Sequence, residues 1–144
     1  MNKSTLNTTA LTILRVVAGF LFAAHGWQKF NEFTIAGTQA SFAQMGVPGA
    51  SVVAPIVASL ELVGGIALIL GLLTRVFGAL LAIDMLGALF LVHAPAGVFV
   101  GNGGYELVLL FAGAALALAL AGAGKISADN ALFARQGSKL RALA

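Results

Sequence analysis

One carboxylate, Glu61, interrupts an otherwise uncharged run from Ser51 to Thr74 in SVVAPIVASLELVGGIALILGLLTR. A second, Asp84, stands in the next apolar stretch, while Arg15, His25 and Lys29 share the first, LRVVAGFLFAAHGWQKF. His93 closes the third stretch, and Asn102 and Glu106 open the fourth in GNGGYELVLL. A quinone pocket needs these types: an apolar slot, hydrogen-bond donors for the carbonyls, and an acid that can carry protons. Glu61, Arg15 or Lys29, and His25 supply them. The same set would suit a path for protons or small solutes, and residue types alone do not separate the two.

Each residue also has a purely structural use. Arg15 can snorkel to lipid phosphate, and Glu106 can complement the dipole of the helix it starts. His25 and His93 can be solvated boundary residues, Lys29 with Trp27 an interface anchor, and Glu61 half of a buried ion pair that specifies packing. Two histidines at similar depth are weak grounds for haem, so none is expected. Gly101-Asn102-Gly103 and Gly122-Ala123-Gly124 have no strand before them and read as turns, not nucleotide loops.

The elements that must position these groups follow from composition. Of the 144 residues 60% are hydrophobic and 9% charged, and the mean hydropathy is +1.00, too apolar to clothe a water-soluble domain. The chain reads as a membrane protein, with membrane lipid as its solvent. The absence of cysteine removes thiol catalysis, disulfide exchange and iron–sulfur ligation within the chain. A net charge of +3 is spread over loops and tail without a dense patch, so nucleic acid is not an expected partner.

A crossing helix needs about 20 apolar residues. Four segments qualify: Ala10 to Phe30, Ser51 to Leu73, Val76 to His93, and Tyr105 to Ala123. Arg15 inside the first argues for a retained span instead of a cleaved signal. Lys3, Arg75, Lys125, Arg135, Lys139 and Arg141 fall on one side of this arrangement and only Lys29 on the other. The positive-inside rule therefore predicts an inner-membrane protein with both termini cytoplasmic. The first outer loop, with Phe33, Ile35, Phe42 and Met45, predicts a short interfacial or re-entrant helix ended by MGVPG. Residues 1–126 form the four-span domain, and 127–144 a basic amphipathic tail on the inner surface, with a cap at Ser127.

Small residues mark where helices approach in lipid. Ala54, Ala58, Glu61 and Gly65 share a face of the second span, Arg15, Gly19, Phe22 and Gly26 one of the first, and Glu106, Gly113 and Ala117 one of the fourth. At about 1.5 Å per residue two polar layers are expected: Arg15 reaching toward Glu61 and Asp84, and Lys29, His25, His93 and Glu106 beneath the outer loop. An ionised carboxylate at the bilayer centre costs about 2.5–3.5 kcal/mol on insertion scales. Glu61 and Asp84 must therefore be paired, hydrated or protonated, with Arg15 the expected partner of Glu61.

The motifs LRVVAGFLFAAHGWQKF, ELVGGIALILGLLTR, GNGGYELVLL and GAGKISAD occur in one order over most of the chain. In that ordered set the chain resembles the DoxX family of four-helix membrane proteins. The resemblance implies an all-α integral membrane four-helix bundle related to the small subunit of thiosulfate:quinone oxidoreductase, and soluble redox proteins as partners. Arg15, Lys29, Glu61 and Glu106 match the family pattern, whereas Asp84 and His93 look particular to this chain. The expected site comprises Glu61 as the acting acid and Arg15, His25, Lys29, Asp84, Asn102 and Glu106 as ligand contacts, with no metal and a quinone as the fitting cofactor. A non-enzymatic scaffold for redox partners and a proton or solute carrier are the alternative functions, and a homodimer fits the small-residue faces.

Overall fold

The computed structural model describes residues 2–133. Among these all the regular structure is helical: α1 (Lys3–Asn31), α2 (Thr34–Gln44), α3 (Ala50–Leu70), α4 (Thr74–Ala88), α5 (Glu106–Ala121) and a short α6 (Ala128–Phe133). A π-helical turn, Leu89–His93, and a 3₁₀ turn, Ala94–Ala96, prolong α4, and a second 3₁₀ turn covers Val100–Asn102. The α1, α3 and Thr74–Ala96 segments are long and apolar enough to cross a membrane, while α5 is apolar but shorter. Phe20, Ile56, Ile83, Leu110 and Leu120 leave most of their surface outside the fold. Such outer faces suit lipid and not water.

The bundle is two close helix pairs. α1 packs mainly against α3, and α4 against α5. In the first pair the backbones approach so nearly that a Cβ at Gly19 would lie 2.6 Å from the Gly65 carbonyl oxygen, and one at Gly26 2.7 Å from Leu62 Cα. In the second, Gly78 does the same against Ala115 and Ala119. Without a hydrophobic drive between helices in lipid, this contact area is what holds each pair together. Phe22, Leu68, Leu81 and Leu118 fill the seam between the pairs.

The expected inward faces of the first two spans are the buried ones: Arg15, Gly19, Phe22 and Gly26 in α1, and Ala54, Ala58, Glu61 and Gly65 in α3. The fourth differs. α5 buries Phe111, Ala112, Ala115 and Leu118, and a Cβ at Gly113 would meet nothing within 4 Å. Past Glu106 this helix is apolar on every side, so small residues alone could not choose its face.

One end of the bundle is closed around the α3–α4 turn. α3 stops at Gly71, whose φ of +69° and lack of a side chain let the chain reverse beneath the Arg15 guanidinium. Arg15 Nη1 donates to the carbonyls of Leu68 (3.2 Å) and Ile69 (2.9 Å), and Nη2 to that of Ile126. Across the turn, the Asp129 carboxylate accepts from the amides of Leu73 (2.7 Å) and Thr74 (3.0 Å). A cation thus sits on the carbonyl end of α3 and an anion on the amide end of α4, each complementing a helix dipole. The expected cap at Ser127 is present, its hydroxyl accepting from the Asn130 amide at 3.1 Å. Beyond residue 133 the tail lies outside the described residues.

Candidate functional site

At the other end, where α2 lies, the helix pairs part and leave a cavity of about 410 Å³, within the range of small-ligand sites. α1 contributes Phe22, His25 and Lys29; α3 Val57 and Glu61; α4 and its π turn Asp84, Met85 and His93; α5 Val108 and Phe111. Phe42 and Met45 of the α2 segment complete the wall with Val47. α2 is held there by Thr38, whose hydroxyl donates to the Lys29 carbonyl (3.2 Å), and by Gln39, whose amide donates to the Ser51 carbonyl (2.7 Å). The expected helix in the first outer loop is therefore a wall of the site.

Inside, Lys29 Nζ donates to Glu61 Oε2 at 2.5 Å, and the Glu61 side chain is only 5% exposed. Arg15 was the expected partner, and packing explains the exchange. Gly19 faces Gly65 and Ile69 while Gly26 faces Leu62, so each turn up α1 is a turn down α3. In that register Arg15 is level with the end of α3, about two helical turns beyond Glu61, and Glu61 is level with the stretch Gly26–Lys29. The two expected layers become a carbonyl-capping Arg15 at the turn end and a single cluster of Lys29, Glu61, Asp84, His25 and His93 at the cavity.

Among the described residues Asp84 has no comparable partner. Its Oδ2 is buried without a hydrogen bond, an unusual state for a carboxylate oxygen. The histidines are more constrained. His25 Nδ1 lies 2.8 Å from the Leu21 carbonyl and His93 Nδ1 2.7 Å from that of Gly103. A carbonyl only accepts, so Nδ1 carries the hydrogen in both rings and Nε2 is the bare nitrogen of the neutral form. Phe22 and Phe111 stack at a tilt with ring centroids 4.9 Å apart, and the His25 ring meets Phe111 edge-on at 5.9 Å. The cavity has an aromatic floor under a polar cluster.

Four of the seven expected site residues, His25, Lys29, Glu61 and Asp84, line this cavity, joined by His93 from the wider polar set; Arg15, Asn102 and Glu106 do not. Glu106 instead fixes the loop before α5, its Oε1 accepting from the Val100 amide at 2.6 Å. Asn102 is exposed in the adjoining 3₁₀ turn. One contributor escaped sequence reasoning: the π turn at Leu89–His93, which brings His93 to the cavity, has no composition signal.

The family model described as DoxX matches residues 10–94. The chain is 37% identical over 133 residues to "Putative oxidoreductase CatD" of Bacillus subtilis, covering 92% of each chain. It is 34% identical to "Inner membrane protein YqjF" of Escherichia coli, over 88% of this chain and 95% of that one. An uncharacterized protein of Haemophilus influenzae is 39% identical over 85% of this chain and 90% of its own. No solved structure matches the chain significantly.

Proposed function

The chain belongs to the DoxX family, and from that premise we propose that it is the membrane component of a redox system, holding a quinone-type molecule in the cavity beside Lys29 and Glu61. The cavity carries this reading: an apolar, aromatic-walled space of about 410 Å³ with one cation and two carboxylates among its lining suits a lipid-soluble ring with polar edges. In it, Lys29 supplies N–H donors and counter-charge, Glu61 is the acid that exchanges a proton with the ligand, and Asp84 is a second proton acceptor. The relative named as an oxidoreductase and the one named as an inner membrane protein support the redox setting and the location.

The protein sits as a multi-pass protein of the inner membrane with both termini in the cytoplasm. Lys3, Arg75 and Lys125 lie at the turn end, and the bias of Lys and Arg toward the cytoplasm then turns the cavity end outward. Soluble redox proteins are its electron-transfer partners. Purification in mild detergent followed by organic extraction tests the ligand, with a co-purified quinone expected and Glu61→Gln expected to lose it while keeping the helical fold. Protein that carries no quinone and shows no change in melting temperature with added short-chain quinone would refute the proposal.

The ion pair also favours a scaffold reading, in which Lys29 and Glu61 only lock α1 to α3. That reading expects Glu61→Gln to lower the melting temperature with no ligand effect, and a double-mutant cycle on the pair measures the coupling.

A further inference from the structure

The two seams between the helix pairs are closed to different extents. Between α1 and α5 the cavity is shut by aromatic contact: the Phe22 and Phe111 ring centroids are 4.9 Å apart, and the His25 ring meets Phe111 edge-on at 5.9 Å. The seam between α3 and α4 is tight near their shared turn and parted beyond it. A Cβ at Gly64 of α3 would lie 3.2 Å from Leu81 and from Phe77 of α4, whereas one at Gly87, further along α4, would meet nothing within 4 Å. Gly87 still lines the cavity, with Leu91 on its own helix and Val53 and Val57 on α3. At about 1.5 Å per residue, Val57 and Gly87 each lie about 20 Å from the turn, inside a hydrocarbon core about 30 Å thick. Their outward neighbours, Val52 and Ile56 on α3 and Leu86 and Phe90 on α4, are exposed. No Lys, Arg, Asp or Glu occurs from Ser51 to Leu60 or from Met85 to Gly104. An opening bordered in this way continues the lipid-facing surface of the two helices and faces acyl chains, not water.

We propose that the α3–α4 seam is a lateral portal through which the cavity takes its ligand from the bilayer. The ligand is then an amphiphile whose polar ring stays beside Lys29 and Glu61, while a hydrocarbon tail passes out between Val53 and Val57 on one edge and Gly87 and Leu91 on the other. The inference rests on the quinone-type reading above for the ring, and adds the tail, its position and the route of entry. A tail between these edges keeps hydrocarbon around it, so binding asks only the ring to change its surroundings. The closed α1–α5 seam gives no such exit, which makes the portal one-sided.

Two measurements on the full chain in lipid nanodiscs test this. The chain has no cysteine, so a spin label on Gly87→Cys reports alone, and the open space beside Gly87 admits it. Its relaxation should respond more to oxygen, which concentrates in hydrocarbon, than to a water-soluble nickel chelate, as for a label on the exposed Phe90→Cys. A stronger response to the chelate, or none to either, would overturn the portal whatever the ligand is. The second measurement uses a benzoquinone with a decyl tail that ends in a diazirine. On irradiation, the labelling that is lost when excess quinone without the diazirine is added should map to residues 52–57 and 86–91. Competed labelling confined to α2 or to residues 98–104 would put the tail at the α2 end, overturning the portal while leaving the quinone-type reading standing. Labelling that the competitor reduces nowhere would overturn the tailed ligand together with that reading, and the spin label would then decide the portal alone.

Discussion

The two ends of the bundle use the same ingredients in opposite ways. At the turn end, a buried cation and a buried anion are both spent on backbone: Arg15 on the carbonyls that end α3, Asp129 on the amides that start α4. Among the described residues, only Arg15 Nε and the Thr74 hydroxyl are buried there without partners. At the α2 end, Lys29 and Glu61 are spent on each other, and Asp84, His25 and His93 line a cavity. Helix termini supply fixed dipoles that a side chain can neutralise. Mid-helix there is no such terminus, so Lys29 and Glu61 pair with each other while His25 settles on the Leu21 carbonyl of its own helix. What a buried charge is bonded to in this fold thus depends on its level along the helix.

The comparison is broken most severely by Arg15→Ala. It strands the carbonyls of Leu68, Ile69 and Ile126, each of which loses a bond to a charged donor, and should cost about 3 kcal/mol or more. Thermal unfolding in detergent measures it; a small effect would mean that the turn end is not the structural one. Asp129→Ala removes two amide caps, worth about 1–2 kcal/mol, and should act through the same unit. Leu73, held at φ +48° beside that carboxylate, would lose the bond that fixes its strained conformation. The pair of substitutions should therefore be less than additive, by about 0.5 kcal/mol or more, whereas either combined with Glu61→Gln should add.

The cavity end predicts the reverse pattern. Replacing both Lys29 and Glu61 with Met removes the ion pair without stranding a charge, and such exchanges are neutral or stabilising by roughly 1–2 kcal/mol. Glu61→Ala alone leaves Lys29 unpaired in a largely buried setting and should be the worse of the two. Ligand binding should vanish in both. A double variant that unfolds would place this pair with Arg15 among the structural groups and favour the scaffold reading.

Much of this contrast was legible in the sequence. Isolated charges in apolar runs, small residues at helical spacing and span lengths led to the four-helix bundle, to the inward faces of α1 and α3, and to His25, Lys29, Glu61 and Asp84 as site candidates. What was missed depended on register. Arg15 and Lys29 are both cations on α1, and only the Gly19–Gly65 contact decides which one reaches Glu61. The face of α5 was misread because an all-apolar helix has no preferred side by composition. The part of α2 in the cavity wall came from a loop whose moderate polarity signals a surface segment, and its Thr38 and Gln39 hydrogen bonds reach residues on other helices that no local pattern names.

The smallest perturbation makes the sharpest distinction between a shaped cavity and a polar cluster that merely happens to be uncovered. Gly87 lines the cavity on the same α4 stripe as Asp84 and Leu91, and a Cβ there would meet nothing within 4 Å. Ala at this position should raise stability by about 0.5–1 kcal/mol, because Gly is a poor helix former, and should leave binding intact. Leu should keep that gain within about 1 kcal/mol yet place a branched side chain where the ring would lie. Every charged group stays in place in both variants. If binding survives Gly87→Leu, the ligand does not occupy the space between the helix pairs; if binding is lost while the melting temperature holds, the empty volume itself is the functional feature of the α2 end.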